Sequence, residues 1–273
     1  MEYTIRVTMA DPAGNRTALV EGTIPRQDYG PVAAQLLGAS DLAAEQVGFV
    51  CPALGDTAVG RLEMMGGEFC GNASRSFGLF MAQRRGLGET EIPIEISGAK
   101  ESLLVKLQEG EAWVQMPLPK EITTLALPQL QGEVPLVDLG GIVQVLLPGI
   151  PPQEALGREI IHRVYDLTGS PAVGVLFWSG DTMTPLVWVK ETDSFVWESS
   201  CGSGTLAVAA YRSQQTREGI TALTLRQPGG VLRAQVRREE GVLVSASLGG
   251  PVTLEETVVR TIQLPDPSLE DPR

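Results

Sequence analysis

A chain of 273 residues with 43% hydrophobic and 20% charged residues has enough apolar material for a substantial core, in one large domain or two smaller ones. Its 21 Lys and Arg against 33 Asp and Glu give a net charge of −12, which argues against a nucleic-acid binder or a binder of anionic membranes, since either needs a basic face. The single histidine, His162, excludes a His-rich metal site. The three isolated cysteines, Cys51, Cys70 and Cys201, make neither a disulfide framework nor a four-thiolate zinc site. No signal peptide is read at the start and no stretch approaches a membrane span, so a soluble, cytoplasmic protein is expected.

In chain order, a buried strand is expected at residues 47–50, ending at Cys51, which is followed only by Pro52-Ala53-Leu54 and reads as a structural cysteine. Next comes Glu68-Phe69-Cys70-Gly71-Asn72-Ala73-Ser74, leading into a run that suits a buried helix. Strand-like alternation follows at residues 92–96, a turn at Ser97-Gly98, and further strands at 103–107 and 112–116. The Pro-rich residues 117–135 read as a linker. Around His162 the chain reads as an amphipathic helix, with the histidine on or near its surface, and residues 173–177 read as a buried strand. Then Ser199-Ser200-Cys201-Gly202-Ser203-Gly204-Thr205 opens a second helix, which has no charge from Thr205 to Tyr211. Strands at 221–225, 232–236 and 241–245 follow, with the turn Pro228-Gly229-Gly230 between the first two. A polar tail runs from Pro265.

The second series repeats the first. Two copies of strand, Cys-Gly turn, apolar helix and three-stranded meander predict an α+β protein of two lobes, each with a sheet around a helix that is apolar nearly all round. The expected lobes are residues 1–122, to which 258–273 return, and residues 123–257.

A thiol in the first turn of a helix sits beside unpaired N–H groups and the positive end of the helix dipole, which favours the thiolate and lowers its pKa from about 8.5 toward neutrality. The glycine that follows admits a ligand close to the backbone, and the next N–H groups suit a carboxylate. Two such turns related by a repeat match the exchange of hydrogen at a stereocentre, one thiolate taking the α-proton and the other thiol supplying one to the opposite face. The competing reading is two buried cysteines filling gaps between helix and sheet.

At these residues the sequence resembles the diaminopimelate epimerase superfamily of cofactor-independent racemases and epimerases, and within it the histidine racemases of staphylopine-type metallophore pathways. The resemblance runs in order through Pro12-Ala13-Gly14-Asn15, Glu45-Gln46-Val47-Gly48-Phe49, Gly67-Glu68-Phe69-Cys70-Gly71-Asn72-Ala73 and Val114-Gln115-Met116-Pro117. It continues through Trp197-Glu198-Ser199-Ser200-Cys201-Gly202-Ser203-Gly204-Thr205 and Gln227-Pro228-Gly229-Gly230. It implies two pseudo-symmetric lobes, each a curled mixed sheet wrapped around a central helix, with the site in the cleft between them. It also implies catalysis by Cys70 and Cys201, with no cofactor and no metal. Gly71, Asn72, Gly202 and Ser203 match the positions that hold the substrate α-carboxylate, and Asn15 and Gln46 match substrate-facing residues. Glu198 is a candidate for holding the amino group or orienting the second thiol, and Glu68 is left without a role. The partner implied is a small amino acid, with a homodimer as the expected assembly.

The departures bear on the substrate. Diaminopimelate epimerases carry an Arg where this chain has Ser199 and an asparagine where it has Met64, so both grips on a distal zwitterion are missing. Gln144 stands where many members have a histidine, and a glutamine orients a group without shuttling a proton at neutral pH. The leading expectation is conversion of L-histidine to D-histidine for an opine metallophore. Alternatives are a diaminopimelate or other amino-acid epimerase of the same fold, and a non-catalytic amino-acid binding protein. A pyridoxal phosphate enzyme is disfavoured, since Lys100, Lys106, Lys120 and Lys190 lie in no recognisable cofactor context.

Overall fold

The computed structural model describes residues 1–127, 130 and 132–265. The chain divides into two compact units: Met1–Ala112 together with the described residues from Val252 onward, and Trp113–Pro251. Both are mixed α+β structures dominated by strands.

In the first unit, β1 (Glu2–Asp11) and β2 (Thr17–Glu21) are antiparallel neighbours. After α1 (Tyr29–Leu37), β3 (Gln46–Cys51) joins β2 in parallel and β4 (Arg61–Met64) returns beside β3. Then α2 (Gly71–Arg84) leads to β5 (Thr90–Ile96), parallel to β4, and to its antiparallel partner β6 (Leu103–Gln108). In β6 the alternate residues Leu103, Val105 and Leu107 turn into the core, as do Ile92, Ile94 and Ile96 of β5, the two-residue period of a strand, whereas Thr17–Val20 of β2 are buried without a break, covered on both faces. A second apolar cluster joins Val7, Val20, Val32, Leu36, Val47 and Phe49 between α1 and strands β1 to β3. The expectation of an apolar helix fails for α2. Asn72, Ser74, Arg75 and Ser76 are all buried in it, so part of its covered surface is polar and is satisfied by hydrogen bonds described below.

The boundary between the units falls inside β7 (Glu111–Gln115) and not at the expected 122/123. The cause is pairing: Val114 and Gln115 of β7 face Leu248 and Ser247. The Pro-rich residues 117–135 are likewise no linker in their described part. They hold β8 (Glu121–Leu127), paired antiparallel with β9 (Gly132–Asp138). β9 also pairs with β10 (Val143–Pro148), but only from Leu136 onward, so Pro135 lies beyond that ladder and its missing N–H removes no bond from it.

The second unit continues with α3 (Glu154–Thr168), whose Ile160, Ile161 and Val164 cover β11 (Ala172–Ser179), itself parallel to β10. His162 is on the exposed face of α3, with its ring edge against Phe195 at 5.5 Å. β12 (Thr182–Val189) and β13 (Ser194–Trp197) follow as antiparallel strands. Then α4 (Gly202–Arg212), buried without a break from Gly204 to Ala210, packs on a meander of β14 (Gly219–Gln227), β15 (Gly230–Glu239) and β16 (Val242–Gly249). The chain then returns to the first unit. β17 (Thr253–Leu254) and β18 (Val258–Gln263) both pair with β1, so the second boundary falls before Val252 rather than at the expected 257/258. Beyond Pro265 the expected polar tail lies outside the described residues. No helix among the described residues is long and apolar enough to cross a membrane.

Candidate active site

Both cysteines flagged by the repeat cap a helix, and they do so in the same way. Cys70 is the N-cap of α2, extended at φ −133° and ψ 116°, and its sulfur accepts from the Ala73 N–H at 3.4 Å. Cys201 is the N-cap of α4 at φ −117° and ψ 108°, and its sulfur accepts from the Gly204 N–H at 3.4 Å. In each case the acceptor role usually filled by Ser, Thr, Asp or Asn belongs to a thiol. A hydroxyl four residues on closes the same turn: Ser74 Oγ donates to the Cys70 carbonyl at 2.7 Å and Thr205 Oγ1 to the Cys201 carbonyl at 2.8 Å. The first N–H groups, of Gly71 and Asn72 in one helix and Gly202 and Ser203 in the other, head the two helices where a carboxylate is favoured.

The approach to Cys70 is fixed by Ser97, whose hydroxyl donates to the Glu68 carbonyl and accepts from the Met64 N–H, each at 2.9 Å. A β-carbon at Gly98 would lie 2.3 Å from the Phe69 nitrogen, so this position has to be glycine for the chain to pass there. Glu68 itself is exposed and accepts from the Gly66 N–H at 2.9 Å.

The structure brings the candidate amides of the first unit together. Gln46 Nε2 donates to Asn15 Oδ1 and to Thr17 Oγ1, both at 2.8 Å, and Asn72 Nδ2 donates to Asn15 Oδ1 at 3.3 Å. Asn15 Nδ2 donates to Glu45 at 3.3 Å. Sequence reasoning missed the residue beneath this group, Arg75. It is fully buried, and its guanidinium donates to Asn72 Oδ1 at 3.1 Å, to the Pro12 carbonyl at 3.3 Å and to the Ala112 carbonyl at 3.4 Å. Burial pulls its pKa down to about 10, opposed by the negative charge available from Cys70 and Glu111. Arg75 thereby ties α2 to the loop at Ala13, which is held at a φ of +72°, a conformation unfavourable for a residue with a β-carbon. The available signal was a charge three residues after Asn72, in a stretch of helix with no other charge before Arg84.

In the second unit the Cys201 sulfur is buried and meets Ser203 Oγ at 3.4 Å and Gln144 Nε2 at 3.7 Å. Its backbone N–H donates to Gln227 Oε1 at 2.7 Å, and Gln227 Nε2 donates to Thr205 Oγ1 at 2.9 Å. Gln227 was visible only as the first residue of a matching segment, with no role. The half-buried Glu198 reaches the thiol with its carboxylate. The expected lowering of the thiol pKa is overturned at Cys201: burial, then the Glu198 charge and hydrogen bond, push it well above 9.0, and the Ser203 and Gly204 donors only oppose that rise. Desolvation of the anion outweighs the helix start.

Cys51 stands apart from either helix start, at the end of β3, with the Tyr29 hydroxyl 3.3 Å from its sulfur. Among the described residues no group of three or more His, Cys, Asp or Glu is placed to hold a metal ion.

Residues 4–257 match the family described as the histidine racemase CntK N-terminal domain. A histidine racemase from Staphylococcus aureus (strain Mu50) is 25% identical over 264 residues, covering 93% of this chain and 96% of that protein. A histidine racemase from Fusobacterium nucleatum is 30% identical over 251 residues, covering 84% of this chain and 89% of that protein. Among solved structures, a hydroxyproline epimerase from Agrobacterium vitis with bound trans-4-hydroxy-L-proline superposes with a TM-score of 0.66 at 12% identity, over 98% of this chain and 94% of that one. At that identity the likeness is one of fold.

Proposed function

The chain belongs to the histidine racemase CntK N-terminal domain family and is an isomerase of the racemase and epimerase type, and from that premise we propose that it interconverts L- and D-histidine with Cys70 and Cys201 as its two acid/base groups. The observation that carries the reading is the duplicated cap: two thiols, each at a helix start, each followed by a glycine and by N–H groups suited to a carboxylate. In this reading the two units are pseudo-symmetric lobes, each a sheet curled around α2 or α4, and each presents one thiol to the substrate.

Racemisation at Cα needs a base on one face and an acid on the other. The buried Cys201, held protonated by its surroundings, enters the reaction as the acid. Cys70 then takes the α-proton as a thiolate, Cys201 gives its proton to the opposite face, and the enzyme is left ready for the reverse direction with the roles exchanged. The N–H groups of Gly71, Asn72, Gly202 and Ser203 hold the α-carboxylate and stabilise the charge that develops on it as Cα loses its proton. Asn15, Gln46 and Asn72, linked in one amide cluster over Arg75, orient the substrate, and Glu198 governs the second thiol.

Histidine is supported as substrate by the two relatives above, and the product D-histidine is a building block suited to an opine metallophore. Diaminopimelate is disfavoured by the buried Met64 and by Ser199, neither of which offers a charge to a distal carboxylate. The test is chiral chromatography of L-histidine incubated with the reduced protein and no added pyridoxal phosphate, beside proline, hydroxyproline and diaminopimelate. D-histidine as the dominant product supports the proposal. Turnover of another amino acid alone would move the substrate, and silence across the panel would favour a binding protein.

A further inference from the structure

Gln144 stands on β10 directly beside Gly174 of β11 and is fully buried. A β-carbon at Gly174 would lie 2.0 Å from Gln144 Oε1, so the amide fits only because the neighbouring strand has no side chain there. Among the described residues Oε1 has no hydrogen-bond partner. A buried amide that leaves its oxygen unsatisfied is explained by what its N–H groups do. Here Nε2 donates to Ser203 Oγ at 2.9 Å and points at the Cys201 sulfur at 3.7 Å.

The direction of these bonds matters. Ser203 Oγ carries one proton, and while it accepts from Gln144 that proton is directed to the sulfur, 3.4 Å away. Together with the Gly204 N–H, the sulfur then faces three donors, each of which strengthens when the sulfur becomes an anion. Against them stand burial and Glu198. The buried residues of β9, β14, β15 and β16, the strands packed with β10 around α4, are all uncharged, so Glu198 is the charged group that acts on this thiol.

We propose that Gln144 is a positioning residue for Cys201, turning the Ser203 hydroxyl and its own amide toward the sulfur so that a buried thiol can give up and regain its proton within a turnover. The catalytic consequence rests on the two-thiol reading above; the effect on the sulfur does not. A glutamine serves here because it supplies direction without titrating.

The first test is therefore independent of activity. In a Cys51→Ser/Cys70→Ser protein, where Cys201 is the one remaining thiol, thiolate absorbance is followed against pH. Gln144→Met shifts the titration to higher pH, and Ser203→Ala does the same. The double variant moves little beyond Ser203→Ala alone, because much of the glutamine's effect passes through that hydroxyl. No shift with Gln144→Met, or a shift to lower pH, overturns the proposal even if the protein proves to be a racemase. Ser203→Ala, at a half-buried helix start, carries the test should Gln144→Met fail to fold. In the full enzyme Gln144→Met lowers kcat roughly tenfold to a hundredfold with KM changed less than about twofold, the loss of a donor to a charged group. Gly174→Ala, which displaces the same amide, acts in the same sense. A rise in KM with kcat retained would place Gln144 against the substrate and contradict a positioning role.

Discussion

The two Cys-Gly turns share a backbone and differ in what surrounds the sulfur. Each thiol accepts from the N–H three residues on at 3.4 Å, and each carbonyl takes a Ser or Thr hydroxyl one turn later. Cys70, however, is half-buried, and its turn is backed by an amide cluster and a buried arginine. Cys201 is buried, faces a carboxylate, and is approached by a serine and a glutamine. The shared turn thus fixes where each sulfur sits, whereas burial and the Glu198 carboxylate push the pKa of the Cys201 thiol up.

The sharpest way to break the comparison is to remove each thiol. Cys70→Ser and Cys201→Ser should each lower kcat about a thousandfold, the scale of losing a positioned acid or base. Retention of turnover in one of them, measured by chiral chromatography, would mean the two turns are not equivalent partners. A smaller effect separates their supports. Arg75→Met leaves two buried carbonyls and an amide without their donor and should lower unfolding stability by about 3 kcal/mol in urea. Gln227→Met strands the Cys201 N–H and should cost about 2 kcal/mol. Equal losses would deny that the first turn depends on a buried charge.

The thiol charge gives a pH signature as well. The Cys201 pKa is raised on folding, so the unfolded chain loses its proton first as pH rises. Stability from this group is complete below the ordinary thiol value of 9.0 and declines above it. The wild-type protein should therefore lose more stability than Cys201→Ser as pH is raised beyond 9.0, as denaturant midpoints would show, while the two profiles run parallel below it; parallel profiles above 9.0 as well would mean that the sulfur is not desolvated. Smallest of all, Cys51→Ser should change kcat less than about twofold, since Cys51 belongs to neither turn.

Much of this was legible in the sequence, and the reasons are local. Alternation placed the strands that became β5, β6, β14 and β15, and a Cys-Gly pair ahead of a run of mostly small and apolar residues placed the start of each helix. Residues 121–127 hold the strand-favouring Ile122, Thr123 and Thr124, but the prolines around them masked β8, and its partner β9 accommodates Pro135 because the ladder to β10 begins only at Leu136. What local pattern does not carry is burial. The arginine three residues after Asn72 looks like a surface charge until Pro12, Asn72 and Ala112 close around it. The Cys201 thiol looks activated by its helix until the sheet and Glu198 desolvate and repel its anion. Both depend on segments far apart in the chain.

The most direct test of the two-thiol account is the fate of the α-hydrogen in D2O. With L-histidine as substrate and the reaction stopped early, mass spectrometry of the separated enantiomers should find deuterium in the D-histidine formed and almost none in the L-histidine recovered, because the proton removed by one thiol is not the one returned by the other. Deuterium appearing equally in both enantiomers would show a single base serving both faces, and would contradict the role assigned to the pair Cys70 and Cys201.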